Sequence, residues 1–100
     1  MTTVVTQLKF PPELKEKVER LTTRTVDIFS KLNGFVSMEI NLNPEGNSTL
    51  SYLQWKTFKN HENRIKDPVW DEINPEWNEL MSRDHVNFQF LFVGEPKWTT

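Results

Sequence analysis

The sequence predicts an α+β fold of order β-α-β-β-α-β, and three observations carry that prediction. Four stretches, 4–10, 35–42, 48–56 and 85–93, alternate their side chains with a period of two. One long stretch of helical period, 12–33, separates the first two. A second helical stretch, broken at Asp67-Pro68 and Asn74-Pro75, separates the last two. That order is the ferredoxin-like unit, with an antiparallel sheet and both helical regions on one face. One hundred residues suit a single domain, so residues 1–100 are read as one such unit.

The first strand sets Val4, Thr6, Leu8 and Phe10 on one face and Val5, Gln7 and Lys9 on the other. Pro11-Pro12 ends it, because proline cannot donate to a ladder. Pro12 also suits the first turn of a helix, and Glu13 and Glu16 suit its positive end. Leu14, Val18, Leu21, Thr25, Ile28 and Leu32 then draw one apolar stripe. Lys15, Lys17, Glu19, Arg20 and Arg24 fall off it and read as a solvated face. Asn33-Gly34 is the expected helix stop, since both residues tolerate the left-handed conformation.

In the second strand Val36, Met38, Ile40 and Leu42 oppose Phe35, Ser37, Glu39 and Asn41. Asn43-Pro44-Glu45-Gly46 has the order of a type I turn followed by a glycine bulge, so the third strand pairs back as a hairpin. There Leu50, Tyr52 and Gln54 oppose Ser51, Leu53 and Trp55. Thr57 is the expected cap of helical pieces near 58–66, 68–73 and 75–82, with Asp67 and Asn74 as further capping residues before proline. In the last strand Val86, Phe88, Phe90 and Phe92 oppose Asn87, Gln89, Leu91 and Val93. Trp98, in the tail from Gly94 to Thr100, is expected to pack on a neighbour.

The aromatic strand faces should meet the helices. The other sheet face mixes Gln7, Lys9, Ser37, Glu39, Asn87 and Gln89 with Val5, Leu91 and Val93. That mixture predicts a homodimer whose sheets face each other across a two-fold axis.

Composition excludes several classes of function. The net charge is −2 and no basic run stands out, so nucleic acid is not an expected partner. The chain has no Cys, hence no disulfide framework and no thiolate site. No apolar run approaches the roughly 20 residues of a membrane helix, and the N-terminus lacks the regions of a signal peptide. A cytoplasmic protein without a membrane partner is the expectation. His61 and His85 belong to no ligand motif, and His61-Glu62 lacks the second His of a zinc-protease helix. With three Gly and none at a strand-to-helix turn, no phosphate loop is present. No metal and no cofactor are expected.

What remains is a set of aromatic and polar groups around a pocket between the sheet and the second helical region. The catalytic candidates are Trp55, Ser51 and His61; the substrate-binding candidates are Tyr52, Gln54, Arg64 and Trp70. Trp55 either closes one end of the pocket or packs in the core. Ser51 and Gln54 have the chemistry to orient a phenol or carbonyl. His61 is either a proton carrier or a surface histidine. Arg64 leans over the cleft or into solvent, and Trp70 and Trp77 are core residues or ligand platforms.

Four stretches resemble the antibiotic biosynthesis monooxygenase family of dimeric α+β barrels. Leu32-Asn33-Gly34-Phe35 stands where that family tends to have a Pro-Gly-Phe approach to its second strand. Tyr52-Leu53-Gln54-Trp55 resembles its third-strand ending, with Trp just before the helix. His61 to Pro68 resembles its helix followed by a small polar break, and the last strand is apolar and alternating. The resemblance implies a cofactor-independent oxygenase that turns an anthrone-like or quinol-like aromatic into a quinone, oxygen reacting with an enolate or phenolate held in the cleft. Trp55 matches the family's strand-end Trp. The Asn that its oxygenases carry on that strand falls at Ser51, and their second-helix Arg falls near Asn74 or Pro75. In a haem-degrading branch the Asn, Trp and haem-ligating His fall at Gln7, Arg64 and Asn74, so haem oxygenation is not implied. Two further functions suit the same fold: a non-catalytic small-molecule binding or stress-type protein, and a cyclase or isomerase with His61 as base.

Overall fold

The computed structural model describes residues 1–99. Its strands are β1 (Thr2–Lys9), β2 (Phe35–Leu42), β3 (Ser48–Trp55) and β4 (Asn87–Gly94). They form one antiparallel sheet in the order β2-β3-β1-β4. Between β1 and β2 lie a 3-10 turn (Pro12–Leu14) and helix α1 (Lys15–Phe29). Between β3 and β4 lie α2 (Phe58–Asn63), a 3-10 segment (Pro68–Glu72) and α3 (Asn74–Met81). This is the predicted ferredoxin-like α+β order with a broken second helical region. No helix among the described residues is long and apolar enough to cross a membrane.

The core lies between the sheet and the helices. Val4 and Leu8 of β1, Leu53 and Trp55 of β3, and Val18, Leu21, Ile28 and Phe29 of α1 are buried there with Ile73 and Leu80. Directly paired residues share a sheet face, so Val4↔Leu53 and Leu8↔Thr49 define the helical face.

Two bulges alter the expected faces. Phe35 pairs with Trp55 while Ser37 pairs with Gln54, leaving Val36 as an extra residue. Phe35 therefore joins Met38 on the helical face instead of opposing it, and Val36 is exposed. In β4, Val5 pairs with Phe92 but Thr6 pairs with Phe90, leaving Leu91 extra. Phe88 and Phe90 keep the helical face, Phe92 crosses to the open face, and Val93 crosses back opposite Val4. Two residues opposing one invert the alternation beyond the bulge, which is why strict period-two reading misplaces Phe92 and Val93.

The helix ends also differ from expectation. Leu14 sits at φ −92°, ψ 2°, outside helical geometry, so α1 proper starts at Lys15. It ends at Phe29, because the amides of Lys31 and Leu32 turn to the carbonyls of Ile28 and Phe29 in tighter three-residue turns. Gly34 follows at φ +81°, where a Cβ would also collide with the Asn60 side chain. The hairpin turn is as predicted: Gly46 N donates to Asn43 O at 3.0 Å, with Gly46 at φ +71°.

Thr57 caps α2, accepting from Asn60 N at 3.1 Å and donating to Asn60 Oδ1 at 2.8 Å. Asp67 caps the 3-10 segment through Val69 N at 3.0 Å. Asn74 is not the expected cap. It is the first residue of α3, and the amides of Glu76 and Trp77 bond to the carbonyl of buried Ile73. Lys15, Glu19 and Arg20 of the solvated α1 face are exposed, while two of its residues reach α3: Arg24 Nη1 holds both carboxylate oxygens of Glu76 at 2.9 Å, and Lys17 pairs with Glu79 at 2.9 Å. Exposed pairs of this kind contribute about 0–1 kcal/mol each, so they align α3 on α1 more than they stabilise it.

Candidate functional site

Sheet and helices do not meet everywhere. Between them lies a cavity of about 240 Å³. Its floor is the helical face of the strands: Thr6 and Leu8 from β1, Thr49 and Ser51 from β3, and Phe88 and Phe90 from β4. Thr6 and Ser51 are direct partners in the ladder, so two hydroxyls sit side by side in mid-floor. The roof is Thr25 and Phe29 of α1, His61 and Arg64 at the end of α2, and Trp70, Asn74 and Trp77 beyond the break.

The roof aromatics are held in place. Trp77 Nε1 donates to Thr25 Oγ1 at 2.8 Å, and Thr25 Oγ1 donates to Leu21 O at 2.8 Å. Trp70 lies against Phe29 with ring centroids 5.4 Å apart, tilted by 32°. These contacts tie the separate helical pieces to α1 and present indole surface to the cavity.

His61 is only 8% exposed, and its Nδ1 is buried with no hydrogen-bond partner among the described residues. Phe58 and Phe90 flank it at ring-centroid distances of 5.8 and 6.2 Å. Burial lowers its pKa from the usual 6.5, the nearby Arg64 cation lowers it further, and Glu62 partly offsets both. The imidazole is therefore neutral at neutral pH. Arg64 donates from Nη1 to His61 O at 2.6 Å and lies over the Phe90 ring, 5.8 Å from its centroid. Burial lowers its pKa too.

Ser51, His61, Arg64 and Trp70 thus border one cavity. Trp55 does not: it is 0% exposed, packed edge-on against Phe29 and Phe35 at 5.7 and 5.8 Å. Its Nε1 is buried without a partner among the described residues. Tyr52 and Gln54 lie on the opposite face of the sheet, where Tyr52 pairs with Val5 and Glu39, and Gln54 accepts from Ser37 Oγ at 3.3 Å. A strand cannot aim Ser51 and Tyr52 at the same pocket. Thr6, Thr25, Asn74, Phe88 and Phe90 were not singled out from sequence as site residues. The available signal was the lone hydroxyls Thr6 and Thr25 within otherwise apolar stripes. Among the described residues, no three His, Asp or Glu side chains come together to hold a metal.

This fold is that of the antibiotic biosynthesis monooxygenase proteins. Among solved structures, a variant of SnoaB, a cofactor-independent oxygenase from Streptomyces nogalater, superposes with a TM-score of 0.77 at 16% identity, covering 98% of this chain and 94% of that one. A candidate antibiotic biosynthesis monooxygenase from Nitrosomonas europaea gives 0.77 at 11% identity, covering 98% and 100%. One from Deinococcus radiodurans gives 0.72 at 11%, covering 100% and 99%. At these identities the likeness establishes the fold. No family model matches the sequence, and no curated protein matches it.

Proposed function

We propose that the protein is a cofactor-independent monooxygenase acting on a small phenol, quinol or anthrone-like aromatic held in the cavity between sheet and helices. The observation that carries this reading is the buried, unpartnered and neutral imidazole of His61 at the wall of an aromatic cavity. An engineered apolar cavity of about 150 Å³ takes up benzene, so about 240 Å³ accommodates one or two fused rings. A third ring extends through the mouth.

His61 removes a proton from the phenol hydroxyl or ring methylene, and the positive charge of Arg64 favours the anion that forms. The anion passes an electron to dioxygen, and the radical pair combines to a peroxide that takes the proton back from His61 as a hydroperoxide. Loss of water then leaves a carbonyl. One oxygen atom enters the product and the other leaves as water. The substrate supplies all four electrons, so no external reductant is needed. The Thr6 and Ser51 hydroxyls orient the oxygen function of the substrate.

The sheet's open face supports a homodimer as part of the same proposal. Tyr52, Leu91 and Phe92 stand exposed there, and Trp98 is 85% exposed in the protomer. A second copy facing the sheet would cover such a surface.

Dissolved-oxygen uptake by metal-free protein on a quinol and anthrone panel tests the function, with His61→Ala beside it. Uptake above the uncatalysed rate that collapses in His61→Ala supports the proposal; no uptake by folded protein sinks it. A second reading, binding without turnover, is favoured by Ser51 and Asn74 standing where the resemblance places the oxygenases' Asn and Arg. Quenching of Trp70 and Trp77 fluorescence by aromatics without oxygen uptake would establish it.

A further inference from the structure

Arg64 is the one side chain carrying full charge among the described residues lining the cavity. It forms no ion pair there: the ion pairs of the described residues involve Lys17, Arg24, Lys31 and Arg83. A single donor, Nη1, is bonded, to the carbonyl of His61. A guanidinium carries five N–H donors in a rigid fork, so most remain unmatched. Phe90 lies beneath it, and the remaining polar lining is hydroxyl, amide, indole and the His61 imidazole, with no carboxylate. Arg64 is part-buried, and a cation partly withdrawn from water with no counter-charge beside it is a favourable site for an anion. The Nδ1 of His61, another lining residue, is buried and has no partner among the described residues.

We propose that the ligand of this cavity is an aromatic carboxylic acid of one or two rings. Its carboxylate pairs with Arg64, and its ring lies among Phe29, Trp70, Trp77 and Phe90. One unmatched cation balances one negative charge, which suits a carboxylate better than a phosphate with nearly two. A carboxylate also matches the planar guanidinium fork bidentately. Donors beyond those holding the carboxylate can still hydrogen-bond a neighbouring oxygen, so with an acid bound Arg64 would favour the anion formed at His61 by hydrogen bonding and not by net charge. The inference rests on the cavity being the ligand site, as proposed above, and is independent of whether oxygen is consumed.

Calorimetric titration of the full chain near neutral pH with 1-naphthoate, 1-naphthamide and 1-naphthylmethanol tests it, because none of the three needs to be turned over. The acid should bind about tenfold to a hundredfold more tightly than the amide, the ratio expected for a charge-assisted pair shielded from water. In Arg64→Met the ratio should fall to about one, with the acid losing far more affinity than the amide. Arg64→Gln serves if Arg64→Met fails to fold. Equal affinity of acid and amide in the unaltered protein overturns the inference. So does an acid preference that survives loss of the guanidinium, or binding of neither compound. Acid preference without oxygen uptake on quinols keeps this inference and removes the oxygenase reading; uptake without acid preference does the reverse.

Discussion

The indole N–H of Trp77 donates to the hydroxyl of Thr25 at 2.8 Å, fastening α3 to α1 across the top of the cavity. Thr25 in turn spends its own proton on Leu21 O, so its oxygen is free to accept. Thr25→Val keeps the shape and removes the acceptor. A donor left unsatisfied in a part-buried site costs about 1–2 kcal/mol. The melting temperature should fall by about 4–8 °C per kcal/mol for a domain of this size. Thr25→Ser should restore most of the loss, with the near-ultraviolet Trp signal following the same order.

Trp55 is buried packing and does not border the cavity. Trp55→Ala should cost about 3–5 kcal/mol, the range for emptying an aromatic site in a core, and chemical denaturation will show it. Trp55→Phe also removes a buried N–H that has no partner among the described residues, so its penalty should be smaller. Folded Trp55→Phe should bind aromatic ligands as the unaltered protein does.

His61 couples stability to pH. Its pKa is lowered on folding, so the unfolded chain takes up the proton first. Stability from its burial is complete above 6.5 and declines as pH falls from there through the lowered folded value, then levels off. His61→Gln should flatten this part of the curve, as read by denaturant midpoints across pH. If His61 is the base, the acid limb of kcat/KM also lies below 6.5, since the free protein keeps it neutral down to the lowered value.

Phe92 is 54% exposed on the open sheet face, while Phe88 and Phe90 face the cavity. Phe92→Glu should therefore separate the proposed dimer without altering ligand affinity in the cavity. Sedimentation equilibrium should report one chain for the variant and two for the unaltered protein. Two chains in both would remove the sheet face as the interface.

The order of elements was legible because period two and period 3.6 are long and clean in this chain, and because Thr57, Asp67 and Gly46 carry local turn and capping chemistry that tertiary packing did not override. The faces of β2 and β4 were legible only in part. A bulge inserts a single residue, Val36 or Leu91, without any change of composition to announce it. Ser51 and Tyr52 could have been told apart as site residues by alternation alone. Asn74 could not: nothing in Asn-Pro distinguishes a capping side chain from one that is left to face a cavity when a carbonyl, here that of Ile73, takes the amides instead.

The division of the second helical region makes the cavity adjustable from one side. The cavity floor is a hydrogen-bonded ladder whose spacing is indifferent to side-chain identity. Beside α1, the ceiling is three short segments, and the first two carry their own caps at Thr57 and Asp67. A length change at 63–67 can slide one ceiling segment without unzipping a strand. The shape of the cavity can thus be re-cut piecewise, on a fold that superposes on a protein differing at about five residues in six.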